Sequence, residues 1–222
     1  MNVKQLFLLS SILALSTNSH GANSGADLSI FDEARQLTPN LIEGKKMYNT
    51  CKTCHQDNGW GNKGGHYPQI AGQLKDVIIK QLLDIRSGLR GNPMMAPFTS
   101  ERFLPTSQSI ADVSGYISQL PMTDKNGIGP GFAIEKGKKL YVKHCEDCHG
   151  KEASGEIRRQ VPALRAQHYN YMTRQFNWIK NGIRKNGDKE MIKQIQEIPF
   201  TDWQSILDYT SRLPPKNSTT MD

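Results

Sequence analysis

All four cysteines of this 222-residue chain fall in two copies of one short pattern. Cys51-Lys52-Thr53-Cys54-His55 and Cys145-Glu146-Asp147-Cys148-His149 each place two thiols three residues apart, followed at once by an imidazole. Three chemistries use thiols in this way. A disulfide between Cys51 and Cys54 would close a very small loop, constrain the unfolded chain little, and leave the repeated histidine without a purpose. Zinc ribbons space their C-x2-C pairs by about 15–20 residues, whereas 90 residues separate Cys54 from Cys145. Two independent zinc sites would lack ligands within each half. The remaining chemistry is covalent attachment of c-type haem, whose signature is C-x-x-C-H. The two thiols form thioethers with the porphyrin vinyl groups, and the histidine stands over the iron. This reading assigns Cys51, Cys54, Cys145 and Cys148 to attachment and His55 and His149 to the metal.

A six-coordinate iron needs a further ligand in each half. Met95 in "RGNPMMAPF" lies 40 residues after His55, and Met191 in "RKNGDKEMI" lies 42 after His149. Met95 is preferred over its competitor Met94 for this spacing and for its Met-x-Pro context. Both methionines are expected in polar loops rather than on helix faces, which argues against a core role. Met172, within a helical pattern, reads as core. His66 and His168 have no counterparts in the other half and are not expected to bind iron.

These residues must be positioned by two similar units. The shift of 94 residues from Cys51 to Cys145 also carries Pro68 onto Pro162, Gln73 onto Gln167, Gln81 onto Gln175, Arg90 onto Arg184 and Asn92 onto Asn186. "GKKMYNTC" matches "GKKLYVKHC" with one residue inserted, and "YISQLP" matches "YTSRLP". Such self-similarity marks a duplicated unit. The expected organisation is a first domain over 39–121, a glycine-rich flexible joint over 122–132, a second domain over 133–214 and a polar tail over 215–222. Periodicity within each unit is helical, with about three helices per unit. Thr106 or Ser107 is the expected cap of the last helix in the first unit, and Thr201 in the second. Only 36% of residues are hydrophobic, so units this small need an insert to complete their cores.

The N-terminus has a lone Lys4, an apolar run from Leu6 to Leu15 and then small polar residues. That is the layout of a secretory signal peptide over about 1–22, with cleavage expected between Ser19 and Ala26. The apolar run is too short for a membrane span, which needs roughly 20 residues. An exported, periplasmic protein follows, with at most peripheral membrane association. Net charge is +7, mixed along both halves rather than gathered in the stripe expected of a nucleic-acid binder. Redox proteins with acidic docking surfaces are the expected partners.

The paired CxxCH motifs, over residues 39–214, resemble class I cytochromes c, and the tandem arrangement resembles the dihaem cytochrome c4 family. The resemblance implies an all-α protein of two tandem class I cytochrome c domains, each holding one covalent haem with His/Met ligation. It implies that Pro68 and Pro162 supply carbonyls to the ring N–H groups of the haem histidines. It also makes Gly44–Tyr48 with Tyr116, and Gly137–Tyr141 with Tyr209, the close crossing of first and last helices. Arg90 and Arg184 become candidates for pairing with haem propionates. The implied activity is one-electron transfer between respiratory redox partners. The alternative is a dihaem subunit held by a dehydrogenase, such as a sulfide- or alcohol-oxidising complex.

Overall fold

The computed structural model describes residues 24–216. The expected leader at 1–22 and the end of the tail lie outside those residues. The described chain is helical, with two isolated β-bridges, Arg90 with Arg184 and Glu156 with Val161. The first half contains α1 (Ser24–Gln36), α2 (Leu41–His55), α3 (Lys75–Arg86), the single turn α4 (Ala96–Thr99) and α5 (Ser107–Gln119). The second contains α6 (Ile134–His144), the single turn α7 (Glu146–His149), α8 (Tyr169–Lys180), α9 (Lys189–Glu197) and α10 (Phe200–Ser211). Each half has its own buried cluster, one around Tyr48, Ile79 and Ile110, the other around Tyr141, Phe176 and Trp203.

Side-chain caps start two of the key helices. Asn40 accepts from the Ile42 and Glu43 amides to begin α2, and its own amide donates to Asp112 on α5 (2.8 Å). Thr106 forms a capping box with Ser109 at the start of α5. Thr201 does not play that part in the second half. The connection from α9 is only Ile198-Pro199, so α10 already begins at Phe200 and Thr201 sits inside its first turn.

The first and last helices of each half cross at a glycine. A β-carbon on Gly44 would lie 2.1 Å from the Asp112 carbonyl oxygen, and one on Gly137 would lie 2.0 Å from that of Ser205. Beside these contacts the Tyr48 and Tyr116 rings lie 5.4 Å apart, and those of Tyr141 and Tyr209 5.6 Å. The inserted residue of the second half has a visible cost. In a helix of 3.6 residues per turn it would rotate the motif by about 100°. Instead the helix breaks at Cys145 (φ −126°, ψ −31°) and resumes as α7.

Helix α1 was not expected from the sequence. It lies against the first half through Ile30, Phe31 and the buried Ala34, and Glu33 accepts a hydrogen bond from Ser107 (2.6 Å). The joint also departs from expectation, because it is strapped down rather than flexible. The Thr123 amide donates to Gln69 (2.8 Å), and Asn126 donates to the carbonyls of Gln167 and Ser211. His168, buried at the start of α8, accepts from the Gly127 amide through Nδ1 (3.0 Å) and donates through Nε2 to the Trp60 carbonyl (2.7 Å). It joins the joint and both halves in one contact, and only the neutral ring can do so.

Further along the seam lies a symmetric tetrad. Arg90 donates to Gln81 of its own half and to Gln175 of the other, while Arg184 donates to Gln175 and Gln81. Arg90 thus meets its repeat counterpart Arg184, and each arginine reaches both glutamines.

Two outcomes are expected in the haem-loaded protein. Gly44→Ala or Gly137→Ala should lose about 3 kcal/mol in denaturant unfolding, since backbone must separate from backbone to admit one methyl group. Burial, with Lys63 nearby, lowers the His168 pKa below its ordinary 6.5. Its contribution to stability is therefore complete above about pH 6.5 and is lost as pH falls through the lower folded value. His168→Gln should flatten that part of a stability–pH profile.

Candidate haem sites

The end of α2 carries Cys51, Cys54 and His55 on consecutive turns, and α7 with its preceding residue carries Cys145, Cys148 and His149. Both histidines are 5% exposed. His55 Nδ1 lies 3.0 Å from the Pro68 carbonyl oxygen, and His149 Nδ1 lies 2.9 Å from that of Pro162. A carbonyl only accepts, so each Nδ1 carries the proton and Nε2 keeps its lone pair free for a metal. Burial lowers both pKa values, against the opposing effect of the carbonyl bond, and Arg90 adds to the lowering at His55. Both rings are thus held neutral and in one tautomer, as a metal ligand requires.

Burial also pushes the Cys51 thiol up to about 11 and the Cys145 thiol up to about 12. Cys51, Cys54 and Cys145 are half-buried, and Cys148 is exposed. Two tyrosines brace the motifs in a way not anticipated from sequence, which suggested packing alone. The Tyr48 hydroxyl donates to the Gln56 carbonyl and the Tyr141 hydroxyl to that of Gly150, each at 2.6 Å. The acceptor is in both cases the residue after the motif histidine. Burial raises both phenol pKa values, so each remains a donor.

The two candidate methionines are placed differently. Met95 is half-buried at the start of α4, while Met94 beside it is 62% exposed. Met191 lies in the first turn of α9, not in a loop. Asp188 accepts from the Glu190 and Met191 amides and so starts the helix inside the charged segment. Met191 still borders the buried cluster that Cys145 also borders, and Met172 lies within that cluster.

The surroundings suit a large group with anionic arms. Arg90 is buried, and its Nε makes no hydrogen bond within the described chain; the indole N–H of buried Trp203 is in the same position. Arg184 is pushed down to about 10, chiefly by burial and then by Arg90. A buried guanidinium beside a half-buried one calls for a nearby anion, and Asp84 is partly committed to Lys80 and Asn186. Two thiols and a neutral buried imidazole in each half, with spare donors inside, are the donor set that haem c needs.

Comparison with known proteins agrees. Residues 41–121 match the cytochrome c family model, and residues 132–209 match the model for subunit III of cbb3-type cytochrome c oxidase. The chain therefore consists of two tandem cytochrome c domains, the class of protein that carries electrons on covalently bound haem. It is 27% identical over 159 residues to a cytochrome c4 of Pseudomonas aeruginosa, covering 68% of this chain and 77% of that one. It is 25% identical over 195 residues to a thiosulfate dehydrogenase electron acceptor of Stutzerimonas stutzeri, covering 79% and 88%. The fold superimposes on reduced cytochrome c4 from Pseudomonas stutzeri with a TM-score of 0.67, at 23% identity, over 80% of this chain and all of that one. This chain is a dihaem cytochrome c4-like electron-transfer protein.

Removing one bracing hydroxyl, in Tyr48→Phe or Tyr141→Phe, should lower stability by about 1 kcal/mol. Denaturant titration of the haem-loaded variants measures it.

Proposed function

We propose that His55 with Met95, and His149 with Met191, hold the two irons, and that the protein passes single electrons between respiratory partners in the periplasm. The observation that carries this reading is the repeated CxxCH motif whose buried histidine is kept neutral by a proline carbonyl. Haem c with His and Met bound supplies a reversible one-electron Fe(III)/Fe(II) couple and leaves the iron without a position for substrate. The chain's part is to orient both imidazoles through Pro68 and Pro162 and to surround the metal with apolar residues. It also holds the two units in fixed relation through the seam. No described helix is long and apolar enough to cross a membrane, and the apolar leader read from the sequence supports export. Acidic surfaces on the partners complement the net charge of +7.

A second reading, a subunit held by a dehydrogenase, is favoured by the likeness to a protein named as a thiosulfate dehydrogenase electron acceptor. Isolation at low salt from native periplasm and membranes, with a haem count and identification of co-purifying chains, separates the two. A free protein with two haems per chain is the result expected of a mobile carrier. A stoichiometric catalytic partner would make it a subunit. For the ligands, Met95→Leu and Met191→Leu should each abolish the methionine-to-iron absorption band of one oxidised haem and lower that haem's potential. An unchanged band in Met95→Leu would transfer the role to Met94.

A further inference from the structure

Gln73 and Gln167 are aligned by the internal repeat, yet neither belongs to the attachment or ligand set proposed above. They sit across the seam on the two peptide groups that hold the histidines. The Pro68 carbonyl that takes the His55 proton shares its peptide group with the Gln69 N–H. That N–H donates to Oε1 of Gln167, from the second domain, at 3.0 Å. The mirror arrangement holds for the other histidine. The Pro162 carbonyl shares its peptide group with the Ala163 N–H, which donates to Oε1 of Gln73, from the first domain, at 2.9 Å. Each glutamine completes the grip through Nε2, Gln167 donating to the Gln69 carbonyl (2.7 Å) and Gln73 to that of Ala163 (3.0 Å).

An amide polarises as a unit. When its N–H donates to a good acceptor, electron density moves onto its carbonyl oxygen, and that oxygen becomes a stronger acceptor in turn, by roughly 10–30% per bond. A stronger acceptor at Nδ1–H makes the imidazole a more basic ligand. A more basic ligand stabilises ferric over ferrous iron and lowers the potential. We propose that the two glutamines tune the haems crosswise: Gln167 of the second domain sets the potential of the haem bound by His55, and Gln73 of the first sets that of the haem bound by His149. This rests on the ligand assignment proposed above. Glue between domains would not need to select these two peptide groups. Arg174 bridges the domains through the His66 carbonyl (3.1 Å) without touching either of them. Opening the seam therefore raises both potentials together, while a change on one side is read by the haem on the other.

The test uses the haem-loaded protein, with a redox titration that resolves the two haems and nitrogen-15 NMR of the ligand imidazoles in the ferrous state. Gln167→Leu should raise the potential of the His55 haem and shift the His55 Nδ1 resonance, leaving those of His149 in place. The expected size is about threefold in the equilibrium constant for reduction, or ~28 mV at 59 mV per tenfold. Gln73→Leu should do the reverse. Arg174→Ala, which loosens the seam elsewhere, should leave the difference between the haems unchanged. If a leucine variant fails to fold with two haems, Gln167→Glu and Gln73→Glu keep the length and the acceptor oxygen. Each should then lower the haem of the opposite domain more than its own. Shifts confined to the variant's own domain, equal shifts in both haems, or no shift would overturn the proposal. Imidazole resonances of His55 or His149 showing no iron coordination in the unaltered protein would instead overturn the ligand assignment, a result distinct from loss of the crossed pattern.

Discussion

The hydrogen bond from a buried histidine to a proline carbonyl organises each domain. It fixes a tautomer, with the proton on Nδ1, so Nε2 keeps its lone pair free, and burial favours the neutral ring. It also ties the end of one helix to a loop thirteen residues further on, and that loop is the surface that meets the other domain. The geometry of the histidine and that of the domain seam are therefore set by the same few atoms. The tyrosine brace behind each motif serves the same end, holding the carbonyl that follows the histidine so the helix stops where it must.

Around that bond the two domains solve one problem with unequal means. Domains of this size have little apolar material, and a covalent group at the centre supplies what the side chains lack. The first domain adds α1, which covers part of α3 and α5. The second adds a bulkier aromatic core, in which Phe176 stacks on Trp203 at 4.8 Å. The one-residue insertion before Cys145 is absorbed as a break in the helix rather than a rotation of the motif, so Cys145 and the motif histidine keep their facing toward the domain core.

Much of this was legible in the sequence, for definite reasons. The CxxCH pairs, the 94-residue shift and the glycine–tyrosine crossing are local or repeated patterns, and each translates directly into a contact. What was missed depends on contacts distant in sequence. Nothing in residues 24–36 marks α1 as packed, since its burial depends on α3 and α5. The joint reads as flexible from its glycines, but Gln69, Gln167 and His168 pin it. The charged stretch before Met191 looks like a loop because the capping by Asp188 is not apparent beside so many polar residues. Thr201 has the right chemistry for a cap and the wrong distance from the preceding helix. Gln73, Gln81 and Arg90 were seen to repeat, but a repeat alone does not say that the matched residues face each other.

That Arg90 and Arg184 do face each other bears on the history of the chain. Where Arg90 bridges Arg184, and each arginine reaches both Gln81 and Gln175, the seam has the form of a two-fold interface in which one patch meets its own copy. Such a surface is what a self-associating single unit would present before its gene was doubled. Joining the copies removes the need for both halves to stay identical. Tyr171 stands where the first domain has Val77, and Trp178 where it has Asp84, so the electrostatic surroundings of the two halves are free to differ. Fusion thereby turns a symmetric pair into a molecule with a direction.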